Sequence, residues 1–328
     1  VMGKFFILNN LQVKSTVKKL LQNRVLFLLL LIFIIFLFAG IAYDTFVTEN
    51  NIKTVISNMS IDAIVTIGMM ILLISGVFDL SVGSVLGFSA AINAVLIERA
   101  GFNPVLSIII AVVSCICIGI FNGVVIAKIG VNHLIVGLAM LGVVRGVVML
   151  IVGAGITRLP DSFLVIADSS FLKWKLPIWY LVIIAAIFSI LLRKTVFFRR
   201  YYYIGGNEKA AALSGINVVT MRVISYAISA GLAGISGIFL SSRLAAAIPT
   251  LGSGLELRAI TACILGGASL NGGYGNVLGA VLGTLFMGLI NNLMIVSRAS
   301  ISWQRIVISG ILLLAVTLDA VIKKSGVD

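Results

Sequence analysis

Long apolar runs separated by short polar breaks fill almost the whole chain. A helix rises about 1.5 Å per residue, so crossing a bilayer's hydrocarbon takes roughly 20 residues. Set against their breaks, the runs predict about ten segments: 25–43, 53–75, 84–97, 105–127, 133–153, 176–193, 219–241, 255–269, 276–296 and 303–322. The third and eighth are short for a full crossing, which leaves them tilted or only partly inserted. The expected fold class is therefore an all-α membrane protein, a polytopic bundle of about ten transmembrane helices with broken or re-entrant segments.

Two breaks stand out. SGVFDLSVGS at 75–84 places Asp79 among glycines and serines, and ILGGASLNGGYGNVLG at 264–279 ends in GNVLG, which parallels GSVLG at 83–87. Irregular backbone at membrane depth must face protein or a wet cavity, because hydrocarbon satisfies no backbone group. Ser81 and Ser84 can bond freed amides, and Gly83 helps the chain turn. Asp79 has two open roles: capping the helix that follows, or lining a conduction path. Arg145 lies inside a span, where a charge costs a few kcal/mol or more, and it needs a carboxylate or carbonyl partner. Asn122, Asn291 and Asn292 also interrupt spans, and each either lines a polar path or ties two helices together.

Composition agrees with the pattern. Of 328 residues, 60% are hydrophobic and 11% charged, and the mean hydropathy is +1.20. Soluble domains run at about 45–50% apolar and about 25% charged. The net charge of +13 sits in short clusters such as VKSTVKKLLQNR, RKTVFFRR and the Lys323-Lys324 pair. The positive-inside bias explains these without a nucleic-acid ligand and places both termini in the cytoplasm. The domain plan is then a cytoplasmic N-terminal segment over 1–24, a membrane domain over 25–322 and a cytoplasmic tail over 323–328. Residues 11–24 are expected to form a basic helix on anionic membrane lipid. The first run lacks the A-x-A-like site of a cleaved signal peptide.

Several chemistries are excluded. The chain has no G-x-x-x-x-G-K-[ST] loop for ATP. His133 is its single histidine and opens a span, which makes a catalytic triad a poor reading. Cys115, Cys117 and Cys263 lie inside apolar segments without metal spacing and read as packing residues. No catalytic residue, metal site or bound cofactor is expected.

Two connections are longer than turns: 154–175, expected outside, and 194–218, expected inside. The second reads as a turn, then a short alanine-rich helix capped by Asn207, then a stop at Gly215. So short a helix is barely stable in water alone and makes sense if it docks on something. Its expected apolar face is Ala210, Ala211 and Leu213.

These blocks carry a family resemblance. GVFDLSVGSVLGFSA, FNGVVIAKIGV, LIVGLAMLGVVRGVVML, RRYYYIGGNEKAAALSGINV and LGSGLELRAITACILGGASLNGGYGNVLGAVLG span nearly the whole chain. Together they resemble the permease subunit of bacterial ABC sugar importers of the ribose, xylose, arabinose, galactose and autoinducer-2 group. The resemblance implies a permease of the bacterial inner membrane that translocates a monosaccharide from periplasm to cytoplasm. It implies four partners: a second permease subunit (a second copy or a close paralogue), a cytoplasmic ABC ATPase that holds ATP and magnesium, a periplasmic sugar-binding protein, and the sugar. It also implies a coupling helix over Gly205–Gly215, with Gly205, Gly206, Asn207, Glu208, Ala211 and Gly215 facing the ATPase. Asp79, Ser81, Gly83, Asn122, Arg145 and Asn291 remain candidates for the path or for the helix breaks. Phe78 stands where the family usually has Ile, Asn132-His133 where Pro-Phe is commoner, and Arg200 to Tyr203 is more basic and aromatic than usual. A branched-chain amino acid permease, an ion-coupled secondary transporter and a membrane enzyme are the competing readings. The last lacks paired acids or a metal cluster.

Overall fold

The structure, a computed structural model, describes residues 24–324. The N-terminal segment expected over 1–24 lies outside the described residues up to Asn23, and the expected tail lies outside them beyond Lys324. Each of the ten apolar runs carries one helix: α1 (Arg24–Ala42), α2 (Glu49–Ile74), α3 (Val82–Glu98), α4 (Pro104–Val124), α5 (His133–Val152), α7 (Leu176–Lys194), α10 (Val218–Leu244), α11 (Leu255–Leu265), α12 (Val277–Val296) and α13 (Ile301–Lys324). The connections add α6 (Asp161–Asp168), α8 (Val196–Gly206) and α9 (Glu208–Leu213). Among the described residues, seven helices are long and apolar enough to cross a membrane: α1, α2, α4 with its extension, α5, α7, α10 and α12. The protein is an all-α polytopic membrane protein.

α2 and α10 form the centre. The 26-residue α2 is buried along almost its whole second half, from Met59 to Ile74. α10 carries Ser229, Ala230, Gly231, Ala233, Gly234, Ser236 and Gly237 as buried positions. These small residues let its backbone approach neighbours closely, which is how helices pack where lipid offers no hydrophobic drive. A Cβ on Gly237 would overlap the Leu86 carbonyl of α3, and one on Gly119 of α4 would strike the Tyr226 carbonyl of α10. Hydroxyls stitch the same contacts: Ser89 donates to the Gly234 carbonyl at 2.8 Å and Ser236 to the Ile61 carbonyl at 3.0 Å.

The outer layer is α1, α4, α5 and α7, which keep most of their apolar surface turned outward. Phe33, Phe38, Val105, Ile109, Ile135, Leu150 and Ile187 are among the exposed side chains. In a soluble protein such a belt would aggregate, and here it is the surface offered to lipid. Cys115 and Cys263 are buried, as packing residues should be, whereas Cys117 lies on the outward face of α4.

Two connections differ from the sequence reading. The 194–218 segment holds two helices rather than one. Thr195 caps α8 by accepting from the Phe198 amide at 3.3 Å, and Phe188, Phe197, Phe198 and Tyr201 pack edge to face along it. The aromatic run therefore lies on a helix that buries Tyr201 and Ile204 and leaves Phe197 and Tyr203 exposed. The 154–175 connection is also built up. It contains α6, a strand pair β2 (Ser170–Phe171) with β3 (Trp174–Lys175), and β1 (Ile156–Thr157), which pairs with β4 (Ala246–Ala247) beyond α10. Ser242 of α10 holds α6 by donating to the Phe163 carbonyl at 2.9 Å.

Candidate functional site

The α8–α9 segment is fixed at both ends. Asn207, between the two helices, accepts from the Ala210 amide at 3.0 Å and so caps α9. At the other end Gly215 adopts φ +81°, with Gly215 N–H donating to Ala212 O and Ile216 N–H to Ala211 O at 3.0 and 3.1 Å. That pair of bonds is a Schellman stop, which glycine accommodates without steric cost. Arg222 in the second turn of α10 makes two bonds to the Glu208 carboxylate, at 3.0 and 2.7 Å. The expected apolar face does not form. Ala211 is buried and Ala210 exposed, while Leu213 is 90% exposed and projects away from the bundle. On a helix Ala210 and Leu213 share a side but Ala211 is turned some 100° from Ala210, so only it reaches the core. A groove of about 450 Å³ runs between α8 and α9, lined by Tyr202, Tyr203, Gly206, Asn207, Ala210 and Ala211 among others.

α8 joins this segment to both breaks. Gly205 meets the end of α2 and the 264–279 loop so closely that a Cβ there would overlap Ile74 O and Gly273 N. Gly273 N–H donates to the same Ile74 carbonyl at 2.9 Å, and Tyr202 Oη donates to Gly275 O at 2.9 Å. Burial raises the Tyr202 phenol above its usual pKa, and burial also raises that of Tyr201. Both therefore stay neutral at physiological pH. Gly206, one residue on, has open space around it.

Asp79 lies in the first break, 1% exposed. Its Oδ1 accepts from the Ser81 amide and the Ser81 hydroxyl, both at 2.7 Å. This is an Asx turn that starts α3. Asn122 of α4 donates to Ser81 Oγ at 3.2 Å and reaches Asp79 Oδ2 at 3.5 Å, and Tyr226 of α10 donates to Phe78 O at 2.9 Å. Asp79, Ser81 and Asn122 are thus brought together as one buried knot. His133 stands beside it, edge to face with Phe78 at 4.6 Å.

Gly83 and Arg145 belong to a different contact. Gly83 faces Gly252 O and the Glu256 carboxylate with no room for a side chain, and Arg145 Nη1 donates to Pro249 O at 2.8 Å and Leu251 O at 2.6 Å. Arg145 therefore holds the turn that leads into α11 through carbonyl partners. Asn292 exchanges two 2.9 Å bonds with Asn51 of α2 and ties α12 to it.

Asn291 lines a cleft between α2, α11 and α12, with Asn292 beside it. A cavity of about 50 Å³ is lined there by Asn58, Asp62, Thr66, Arg258, Thr284 and Asn291 along with apolar neighbours. Arg258 Nη2 and Asp62 Oδ2 pair across it at 3.5 Å, both side chains about a third exposed. In the sequence, Asn58 and Asp62 are an i,i+4 pair of polar groups inside the apolar run ISNMSIDAIVTIG, a spacing that puts both on one helix face. Arg258 lies in the first turn of α11, the helix on the 255–269 run.

A family model described as "Branched-chain amino acid transport system / permease component" matches residues 51–316. The L-arabinose ABC transporter permease protein of Azospirillum brasilense is 34% identical over 87% of this chain and 84% of its own. The ribose import permease proteins of Escherichia coli K12 and Bacillus subtilis 168 are 35% and 36% identical, over 84% and 90% of this chain and 87% and 92% of theirs. No solved structure matches the chain. A polytopic bundle whose matched region takes in both breaks and the whole α8–α9 segment therefore belongs to the permease family of ABC importers.

Proposed function

We propose that the chain is the membrane-spanning permease of an ATP-driven sugar importer of the bacterial inner membrane. The supporting observation is the 34–36% identity to arabinose and ribose permeases over most of both chains. The family description names branched-chain amino acids, but these relatives carry sugars in their names, and the substrate follows them. All ten helices on apolar runs cross or enter the membrane, α3 and α11 as its short members, and both termini lie in the cytoplasm. Two permease chains form the path. A periplasmic sugar-binding protein delivers substrate on the side of α6 and the 154–175 connection. A separate ATPase, which binds the ATP and magnesium, docks on the side of α8 and α9.

Coupling runs through α9. Its caps and the Arg222 clamp hold it in one pose, Leu213 offers an apolar knob to the ATPase, and Gly205 transmits the load to Ile74 at the end of α2. ATP binding on the partner then biases one of two arrangements of the bundle through this lever. The chain itself makes and breaks no covalent bond. Proteoliposomes holding the permease with its ATPase test the reading. Labelled ribose or arabinose should accumulate when ATP and binding protein are both supplied. Uptake driven by an ion gradient without ATP would overturn it.

A further inference from the structure

The cleft between α2, α11 and α12 has a composition that membrane-facing surface does not tolerate. Asn58 is exposed, and Asp62 sits near the middle of the 26-residue α2 with a third of its side chain uncovered. A carboxylate, a guanidinium and two amides are groups that a lipid-facing surface at that depth excludes. The lipid belt of α1, α4, α5 and α7 shows how the chain builds surface that does face hydrocarbon. Asn58 and Asn291 also make no side-chain hydrogen bond among the described residues, unlike the neighbouring Asn292, whose amide is spent on Asn51. Asn58 further lines a second, wider basin of about 480 Å³ at the start of α2. Ser57 lines the same basin with a hydroxyl that is buried and without a partner.

We infer that this cleft is the stretch of the passage where the sugar meets the protein, with Asn58 and Asn291 supplying its hydrogen bonds. The inference rests on the importer reading above. The chemistry fits a neutral polyol. The cleft's two charges, Asp62 and Arg258, answer each other, and what remains are amides that both donate and accept. At about 50 Å³ the cleft admits no sugar as it stands and has to widen as substrate passes; a hydroxyl-bearing ring can then use every one of these groups, whereas an amino acid would need unpaired charges of both signs. Asn58 lines both the cleft and the basin at the start of α2, and the opposite end of the same helix, Ile74, is the residue that meets Gly205.

Thiol labelling tests the cleft directly. In a Cys117→Ser background, Asn58→Cys and Asn291→Cys are made in the permease–ATPase complex in proteoliposomes, with Ile109→Cys on the lipid belt as reference. A charged methanethiosulfonate reagent should modify both cleft positions at least about tenfold faster than Ile109→Cys, since only a hydrated thiol ionises and reacts. Equal rates at all three sites would overturn the inference. The double variant Asn58→Ala/Asn291→Ala should then lower labelled ribose uptake by about tenfold, from the loss of two hydrogen bonds. Its ATPase stimulation by the binding protein should stay intact. Unchanged uptake would contradict the proposal, and so would loss of stimulation, which would make the cleft part of the protein-docking surface. Should the unsubstituted complex move no sugar at all, the importer reading fails, while the labelling rates still decide whether the cleft is wet.

Discussion

Adjacent glycines at the end of α8 should respond differently to the same added methyl group. A Cβ on Gly205 would overlap Ile74 O and Gly273 N and sit 3.0 Å from Gly272 C. All are backbone atoms that no rotamer change can move. Ordinary contact needs about 3.5 Å or more, so α8 would have to withdraw by on the order of 1 Å. Overpacking of that kind costs about 1–3 kcal/mol. It would also stretch the 2.9 Å bond from Tyr202 to Gly275. Gly206→Ala meets nothing within 4 Å and keeps a φ open to any residue. Alanine is there as good a helix residue as glycine or better, by up to about 1 kcal/mol. The assay is thermal unfolding of the purified permease in detergent, followed by ATP-driven uptake for Gly205→Ala. Its apparent melting temperature should fall by several degrees and uptake should drop, while Gly206→Ala melts like the unsubstituted protein. If the two variants melt alike, the close contact between α8 and the end of α2 is not part of the stable fold, and the lever drawn through it is wrong.

Other substitutions probe the same architecture. Gly215→Val places a β-branched residue at φ +81° and should cost about 1–2 kcal/mol. Pull-down of the ATPase by the permease should weaken, with Gly215→Asn weakening it less because asparagine tolerates that conformation. Leu213→Ser changes a 90% exposed side chain, so the melting temperature should hold while ATPase pull-down falls. Arg145→Met leaves the Pro249 and Leu251 carbonyls without their donor. A loss of about 1–3 kcal/mol per unsatisfied group should appear as poor yield and a lower melting temperature. Tyr202→Phe removes one hydrogen bond, about 1 kcal/mol, and should lower the melting temperature less than Arg145→Met on the same assay.

The membrane elements were the most legible part of the chain, because a lipid-facing helix writes its length directly into an apolar run. The ends of α9 were legible too, since Asn207 and Gly215 are residues whose backbone chemistry sets a start and a stop. α8 was not, because Arg199, Arg200 and three tyrosines in a row resemble a solvated loop until Phe188 and Tyr201 are seen packed around Phe198. Asp79 read as a cap or as path lining, with the cap the favoured role. Its two bonds to Ser81 engage one oxygen in the turn, and Asn122 approaches the other. The cleft escaped sequence reading for a general reason. Asp62 and Arg258 lie far apart in the chain, and only the packing of α2 against α11 brings them across one cavity. Arg145 was recognisable as needing a partner, but the turn that supplies its carbonyls could not be named in advance.

The most direct test of the whole reading is solute accumulation in proteoliposomes that contain the permease and its ATPase, with the sugar-binding protein outside and ATP inside. Labelled ribose or arabinose should accumulate only when ATP and binding protein are both present, with leucine excluded and collapse of ion gradients without effect. Accumulation of leucine in place of sugar, or uptake that persists without ATP and stops when the ion gradient is collapsed, would contradict it.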